Sequence, residues 1–339
     1  MARNQREQAR LTSGRLASGI LATAAVAGLA ILWGLAVGAV ELDPSALFTD
    51  GSARTIFLQL RMPRVMLAAV VGGALAIAGA ALQPALRNPL ASPDIIGVSG
   101  GAALAAVAAL AFLPAAPLGQ ATVPAFAFAG AAGAGALVYR LSLVRGRLEP
   151  YTQVLIGVIF NTFAASVILL ISALVDLVRS NSIVFWLMGG ITIQPYSVIL
   201  VVASLVLAGS AALMREARAL DLLALGDETA EHLGVDVDAT RRRVFAASAL
   251  LVGSVVAMSG IVSFVGLIVP HVLRRMLGSD SRLLLPAAFF GGAAFLVSCD
   301  ALARWVMAPH ELPVGAITAL TGGPFFIYLL RRRRVREEA

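Results

Sequence analysis

Residues 243–273 read RVFAASALLVGSVVAMSGIVSFVGLIVPHVL, an apolar stretch preceded by Arg241 and Arg242 and followed by Arg274 and Arg275. A helix rises about 1.5 Å per residue and the bilayer core is about 30 Å thick, so one crossing takes roughly 20 residues. At 31 residues the stretch is too long for one ordinary crossing. Gly260 and Pro270 each offer a break. It is either one tilted helix or two helices, the second short, and the choice sets the number of crossings of the whole chain at nine or ten.

The other apolar runs are near 17–40, 63–86, 95–113, 118–141, 152–174, 192–213, 284–306 and 313–330. Hydrophobic residues make up 59% of the 339, and charged residues only 13%, against about 25% in soluble domains. The short alternating segments of a β-barrel are absent. All 26 basic residues are arginine. With ten crossings and the N-terminus inside, Arg54, Arg61, Arg64, Arg179 and Arg304 fall outside and the other 21 inside. Nine crossings bring the two sides close to parity. Short loops on the cytoplasmic side carry the excess of basic residues, which selects ten. The expected fold is an all-α polytopic membrane protein with both termini cytoplasmic: a tail at 1–16, one membrane domain at 17–330, and a tail at 331–339.

Composition also removes several chemistries. Without lysine there is neither a Schiff-base residue nor a phosphate-loop lysine, so any ATP is bound by another chain. Cys299 is the only cysteine, and His232, His271 and His310 are widely spaced, so a metal site is not expected. The net charge of +7 reflects arginines beside apolar runs rather than nucleic-acid binding. The first apolar run reads as a retained helix, not a cleaved signal.

Gly72, Ala76 and Ala80 follow small-x-x-x-small spacing, and 129–136 read AGAAGAGA; both suit close helix packing. The longest polar interruption is LALGDETAEHLGVDVDATRRR (223–243), with five acids. Asp227, Glu228 and Glu231 suit the first turns of a short helix that Asp227 can cap. A solvated loop with an arginine stop is one reading. The mixture of Leu222, Leu223, Leu225 and Leu233 with charge is also suited to a docking surface, an apolar centre with a polar rim.

This polar stretch resembles the coupling segment of the FecCD-type permeases, the membrane subunits of ABC importers for iron-siderophores, heme and cobalamin. RMPRVMLAAVVGGALAIAGAALQPALRNPLASPDIIGVSGGA (61–102), SGIVSFVGLIVPHVLRRMLG (259–278) and ELPVGAITALTGGPFFIYLLRR (311–332) resemble the family's other motifs, in order. The first 60 residues carry little of the likeness. The resemblance implies ten helices, a second permease subunit (a like or a related chain), two cytoplasmic ATPases that bind ATP and magnesium, and an extracytoplasmic binding protein. This chain would be no enzyme and bind no cofactor. It would lie in the cytoplasmic membrane of a prokaryote, carrying a ferric siderophore or, alternatively, heme or cobalamin.

The same resemblance assigns residues. Leu225, Gly226, Asp227, Glu228, Ala230, Glu231 and Gly234, within a coupling segment at about 215–240, would transmit ATPase closure. Asn88, Pro89 and Leu90 would form the cytoplasmic gate, with Gln83 and Pro84 where the path narrows. Pro150 and Tyr151 depart from the family's pattern at a second gate position. Arg61, Arg64 and Arg304 would meet glutamates of the binding protein, since guanidinium forks pair bidentately with carboxylates. Headgroup anchoring is the alternative for Arg61 and Arg64, and an i, i+4 pair with Asp300 for Arg304. His271 reads as structural.

Two rival classes stand against this. The string Gly97-Val98-Ser99-Gly100 is how an intramembrane serine protease would present a nucleophile. In this topology, however, Ser99 and His310 lie at opposite faces. An ion-coupled secondary transporter would place ionisable residues mid-membrane, and the spans are nearly free of them.

Overall fold

The computed structural model describes residues 13–38, 51–113 and 121–337; the side chains of 328–330 and 332–337 are not described. The expected inside residues Arg3, Arg6 and Arg10, most of the 1–16 tail, and the end of the 331–339 tail lie outside the described residues. So do positions 39 and 40 of the first apolar run.

The chain is helical almost throughout. In order come α1 (Ser13–Ala36), α2 (Gly51–Ala85), α3 (Val98–Phe112) and α4 (Thr122–Leu141). A two-residue hairpin, β1 (Leu143–Val144) with β2 (Arg147–Leu148), leads into α5 (Pro150–Leu174) and α6 (Leu177–Leu187). Then follow α7 (Tyr196–Arg215), α8 (Ala217–Leu223), α9 (Asp227–His232) and α10 (Val237–Ser259). Last are α11 (Val265–Leu277), α12 (Ser281–Trp305) and α13 (Val314–Glu337). Among the described residues seven helices are long and apolar enough to cross a membrane; α3 and the apolar part of α13 are shorter.

The 31-residue stretch splits in two. It breaks at Gly260, with φ +64°, and α11 begins after Phe264, itself at φ +69°. A Cβ at Gly260 would lie 2.2 Å from the Trp186 carbonyl oxygen, so position and conformation both demand glycine. Pro270 does not break the chain: it lies inside α11. Two helical features go beyond the apolar runs: α13 continues past the last run to Glu337, and a separate short helix, α6, follows the fifth. Asp176 caps α6 by accepting from the Arg179 amide, a signal short enough to be hidden behind the long run before it.

The middle of the bundle is the part of α2 from Val65 on, apolar around its whole circumference and largely buried, with Leu67, Leu75, Ile77 and Leu82 sealed from solvent. It packs on α12, α10, α11 and α7. One close crossing is with α12. A Cβ at Gly72 would fall 2.2 Å from the Gly292 carbonyl oxygen, and one at Gly292 the same distance from that of Gly72. Without a hydrophobic force between helices in lipid, such backbone approach supplies the dispersion contact. The other glycine-alanine run serves the α3–α4 pair in the same way: Gly101 and Gly130 face each other.

Candidate functional site

Charged side chains gather at the two ends of the bundle. At one end, where α1 and α12 finish and α2 begins its apolar core, three arginines converge. Arg61 Nη1 donates to the carbonyls of Leu35 (3.1 Å) and Ala36 (3.0 Å). Arg64 donates from Nε to Asp300 Oδ1 at 3.0 Å and pairs from Nη1 with Glu311 Oε2 at 2.6 Å. Arg304 takes the other oxygen of Asp300 at 3.0 Å and caps α1 by donating to the carbonyls of Gly34 and Val37, both at 2.9 Å. The i, i+4 pair of Arg304 with Asp300 is therefore present, and Asp300 has a second arginine besides. The helix ends supply carbonyls with no intrahelical partner, which is why guanidinium donors settle there. So the sequence-expected docking residues are brought together, but their donors are occupied within the chain. Asp300 is sealed and Glu311 is half exposed.

The opposite end carries the polar interruption. It folds as two short helices, α8 and α9, joined at Gly226 with φ +123°. Asp227 is not the cap: Gly226 holds that position, and Asp227 pairs with Arg241 Nη2 at 2.7 Å instead. Arg241 is buried and also donates to the Ala85 carbonyl, the last residue of α2, at 3.3 Å. One guanidinium thus ties α9 to the end of the central helix. Ala230 is fully buried, while Leu225 and Leu233 present exposed apolar side chains and Leu223 packs inward. Glu231 and Asp238 flank Arg147 of the hairpin, at 3.7 and 3.3 Å. Arg243 is held bidentately by Glu216 at 2.6 and 3.1 Å.

Directly beyond Ala85 the chain makes the turn expected to be the gate. Arg87 sits at φ +50°, the Asn88 amide donates to the Gln83 carbonyl, and Asn88 Oδ1 accepts from the Leu90 amide at 2.9 Å. Pro89 and Leu90 are exposed. This side-chain-closed turn ends α2. Beside it lies a cavity of about 390 Å³ lined by Gln83, Arg87, Pro89, Asp221, Arg274 and Ser281, among others. Asp221 accepts from the Ser281 amide at 2.9 Å; burial pushes its carboxyl up, the Ser281 bonds opposing. Asp280, capping α12, is held below the usual range by the hydrogen bond from Arg282. Pro150 and Tyr151 begin α5, where Glu149 accepts from the Tyr151 amide and Tyr151 stands exposed. His271 is buried in α11. Ser99 donates to Asp94 Oδ1 at 3.0 Å, a partner that cannot serve as the histidine base of a protease.

Sequence reasoning missed Arg241, Glu311 and Asp94. Arg241 was visible only as one of three consecutive arginines, which read as a stop signal. Glu311 was seen only as a motif letter.

The described residues thus form a helical bundle with a tight central helix, a two-helix polar projection at one end and a compensated arginine cluster at the other. The chain belongs to the FecCD transport family, whose pattern it matches over residues 26–332. It is 38% identical over 303 residues to the hemin transport system permease protein HmuU of Yersinia pestis, covering 88% of this chain and 90% of that protein. It is 40% identical over 296 residues to the Fe(3+)-citrate import system permease protein YfmD of Bacillus subtilis, covering 84% of each. Against the cobalamin import system permease protein BtuC of Halobacterium salinarum it is 41% identical over 291 residues, 84% of this chain and 76% of that one. An inward-facing structure of an ABC transporter of metal-chelate type superposes with a TM-score of 0.82 at 30% identity, over 93% of this chain and 99% of that one. The protein is the membrane permease subunit of an ABC importer, and ATP hydrolysis belongs to a separate chain.

Proposed function

We propose that this permease crosses the cytoplasmic membrane of a prokaryote ten times with both termini inside, and translocates a ferric siderophore by alternating access. The split at Gly260 supports ten crossings, since it turns one long stretch into α10 and α11. In this orientation α8 and α9 face the cytoplasm and the arginine cluster faces outward. Two permease subunits, alike or related, would enclose the path, with two ATPases below and a binding protein above. ATP and magnesium would bind to the ATPases. The permeases named for hemin, ferric citrate and cobalamin frame the cargo as a metal chelate. Heme and cobalamin remain the alternatives to a siderophore.

The observation that carries this reading is the bridge Asp227–Arg241–Ala85. A partner that seizes α9 through Leu225, Glu228 and Leu233 would move Asp227. Arg241 would pass that motion to the end of α2, three residues from the Asn88 turn. Glu231, Ala230 and Gly234 shape the same projection, Ala230 by packing beneath it. Binding shifts a permease between states only by differential contact, and this guanidinium supplies one. At the other end, docking of the binding protein would offer carboxylates to Arg61, Arg64 and Arg304.

The test is co-purification. The permease, expressed with the genes beside its own, should bring down an ATPase, and Asp227→Arg/Glu228→Arg should lose it while remaining monodisperse. Purified permease that moves substrate in liposomes under an ion gradient, with no ATPase bound under any condition, would overturn the reading.

A further inference from the structure

Two irregular segments face one another inside the bundle. One is the turn and 3₁₀ piece (Pro93–Ile96) before α3; the other is the stretch 260–264 between α10 and α11. Non-helical backbone at membrane depth persists only where it is buried in protein or lines a cavity. Here a cavity of about 420 Å³ lies between them, lined by Asp94, Ser99, Asn161, Leu187, Ile261 and Ser263 together with apolar residues of α3 and α5. Asn161 stands near the middle of α5 and donates from Nδ2 to the Asp94 carbonyl at 2.8 Å, which sets Asp94 at mid-helix depth.

Asp94 is unlike the other carboxylate of the bundle interior. Asp300 is shared by two arginines. Among the described residues no arginine or histidine forms an ion pair with Asp94. Ser99 occupies its Oδ1, and Oδ2 accepts no hydrogen bond from any described residue. The start of α3 follows four residues on, and its dipole favours negative charge there without neutralising it. Ionisable groups inside a membrane domain are costly and mark functional sites. The cavity has the size and make-up of a small-molecule site: apolar walls with a few convergent polar groups.

We propose that this cavity is a ligand site in which Asp94 receives a positively charged or hydrogen-bond-donating group on an otherwise apolar body, and that it lies on the route of the cargo. The second half of the proposal rests on the importer reading above; the first does not. Ser99 orients the carboxylate, and Gly100 leaves room for the Asn161 amide, whose oxygen would sit 2.3 Å from a Cβ there.

Benzylammonium is the probe, because it joins an apolar ring to one cation. Purified permease is treated with dicyclohexylcarbodiimide, an apolar reagent for carboxyls, and labelling is located by peptide mass spectrometry. Asp94 should label and the doubly paired Asp300 should not. Benzylammonium at ten times its dissociation constant should slow Asp94 labelling about tenfold. Failure of Asp94 to label, or labelling indifferent to benzylammonium, overturns the site. The complete transporter in liposomes is then assayed for ATP-driven uptake of hemin, ferric citrate and cobalamin. Benzylammonium should inhibit whichever is moved, and Asp94→Asn should remove that inhibition. Protection without inhibition would put the cavity off the cargo route and overturn that half. Wild-type transporter that moves none of the three, nor any ferric siderophore supplied in their place, would count against the importer reading, leaving the labelling result to decide the site.

Discussion

The two ends of the bundle both pair arginine with carboxylate, yet in opposite ways. At the end of Arg61, Arg64 and Arg304, one sealed carboxylate, Asp300, is divided between two guanidinium groups, whose remaining donors go to a second carboxylate or to helix-end carbonyls. At the end of α8 and α9 no described carboxylate is shared between arginines, most pairs have a partly exposed partner, and several join short elements: Arg241 with Asp227, Arg243 with Glu216, Arg147 with Glu231 and Asp238. The first arrangement is costly to break, because removing one partner leaves a desolvated charge. Apart from the buried Arg241, the second is cheap to break and rebuild, because exposed pairs are worth little. A transporter needs a firm frame and a segment that can be pushed, and the contrast assigns these to opposite ends.

The largest effect should follow from removing the shared carboxylate. Asp300→Ala strands Arg64 and Arg304 together and should cost about 3–5 kcal/mol. Cys299 reports it directly: it is the only cysteine, is buried, and should react with a maleimide only on unfolding. A melting temperature unchanged from wild type would show that the two ends do not differ as argued. Asp227→Ala, by contrast, should cost less than Asp300→Ala, since the Asp227 side chain is 39% exposed and the buried Arg241 keeps the Ala85 carbonyl as a partner. Its effect should appear in ATP-driven uptake, through the lost tie to Ala85. If Asp227→Ala proved the more destabilising of the two, the assignment of frame and moving segment would have to be reversed.

The helices and the break at Gly260 were legible because they are local: apolar length, a glycine where the backbone turns, small residues at fourfold spacing. The same holds for Arg304 with Asp300, four residues apart on one helix. Arg64 with Asp300 was not legible, because 236 residues separate them and no pattern in either neighbourhood names the other. For the same reason Arg61 and Arg64 read in sequence as donors without a partner inside the chain. Arg241 sat unmarked among its neighbours Arg242 and Arg243; only the fold selects the one that turns inward to Ala85. Asp94 was hidden by its prolines and glycine, which describe a turn and say nothing of the cavity opposite.

Glu311 sharpens the comparison at the end of Arg61, Arg64 and Arg304. It is the one carboxylate of that cluster with substantial exposure, 48%, and it takes an Arg64 donor that a docking partner's glutamate would need. Glu311→Gln should change stability by less than about 1 kcal/mol. If the binding protein does dock on Arg64, the variant should bind it more tightly, with Arg64→Ala binding it more weakly. Surface plasmon resonance on the permease in nanodiscs reads both. Weaker binding to Glu311→Gln would mean that Glu311 orients Arg64 for the partner rather than competing with it.

The smallest effect belongs to the other end and tests whether its pairs are as dispensable as exposure suggests. Asp280 has its folded pKa held below the ordinary 3.8 by Arg282. A depressed carboxylate pKa contributes stability that is complete above the unfolded value and is lost as pH falls below it toward the folded one. Asp221 beside it works in reverse: burial raises its pKa, so its ionised form opposes folding at neutral pH and acidification relieves that. Asp280→Asn should therefore be slightly less stable than wild type at pH 7, and the gap should close on acidification below about pH 4. Asp221→Asn should differ most from wild type at neutral pH, with the gap narrowing on acidification from a higher pH than for Asp280. A gap at Asp280 that persists to pH 3 would mean that its capping of α12, and not its charge, is what the helix end uses.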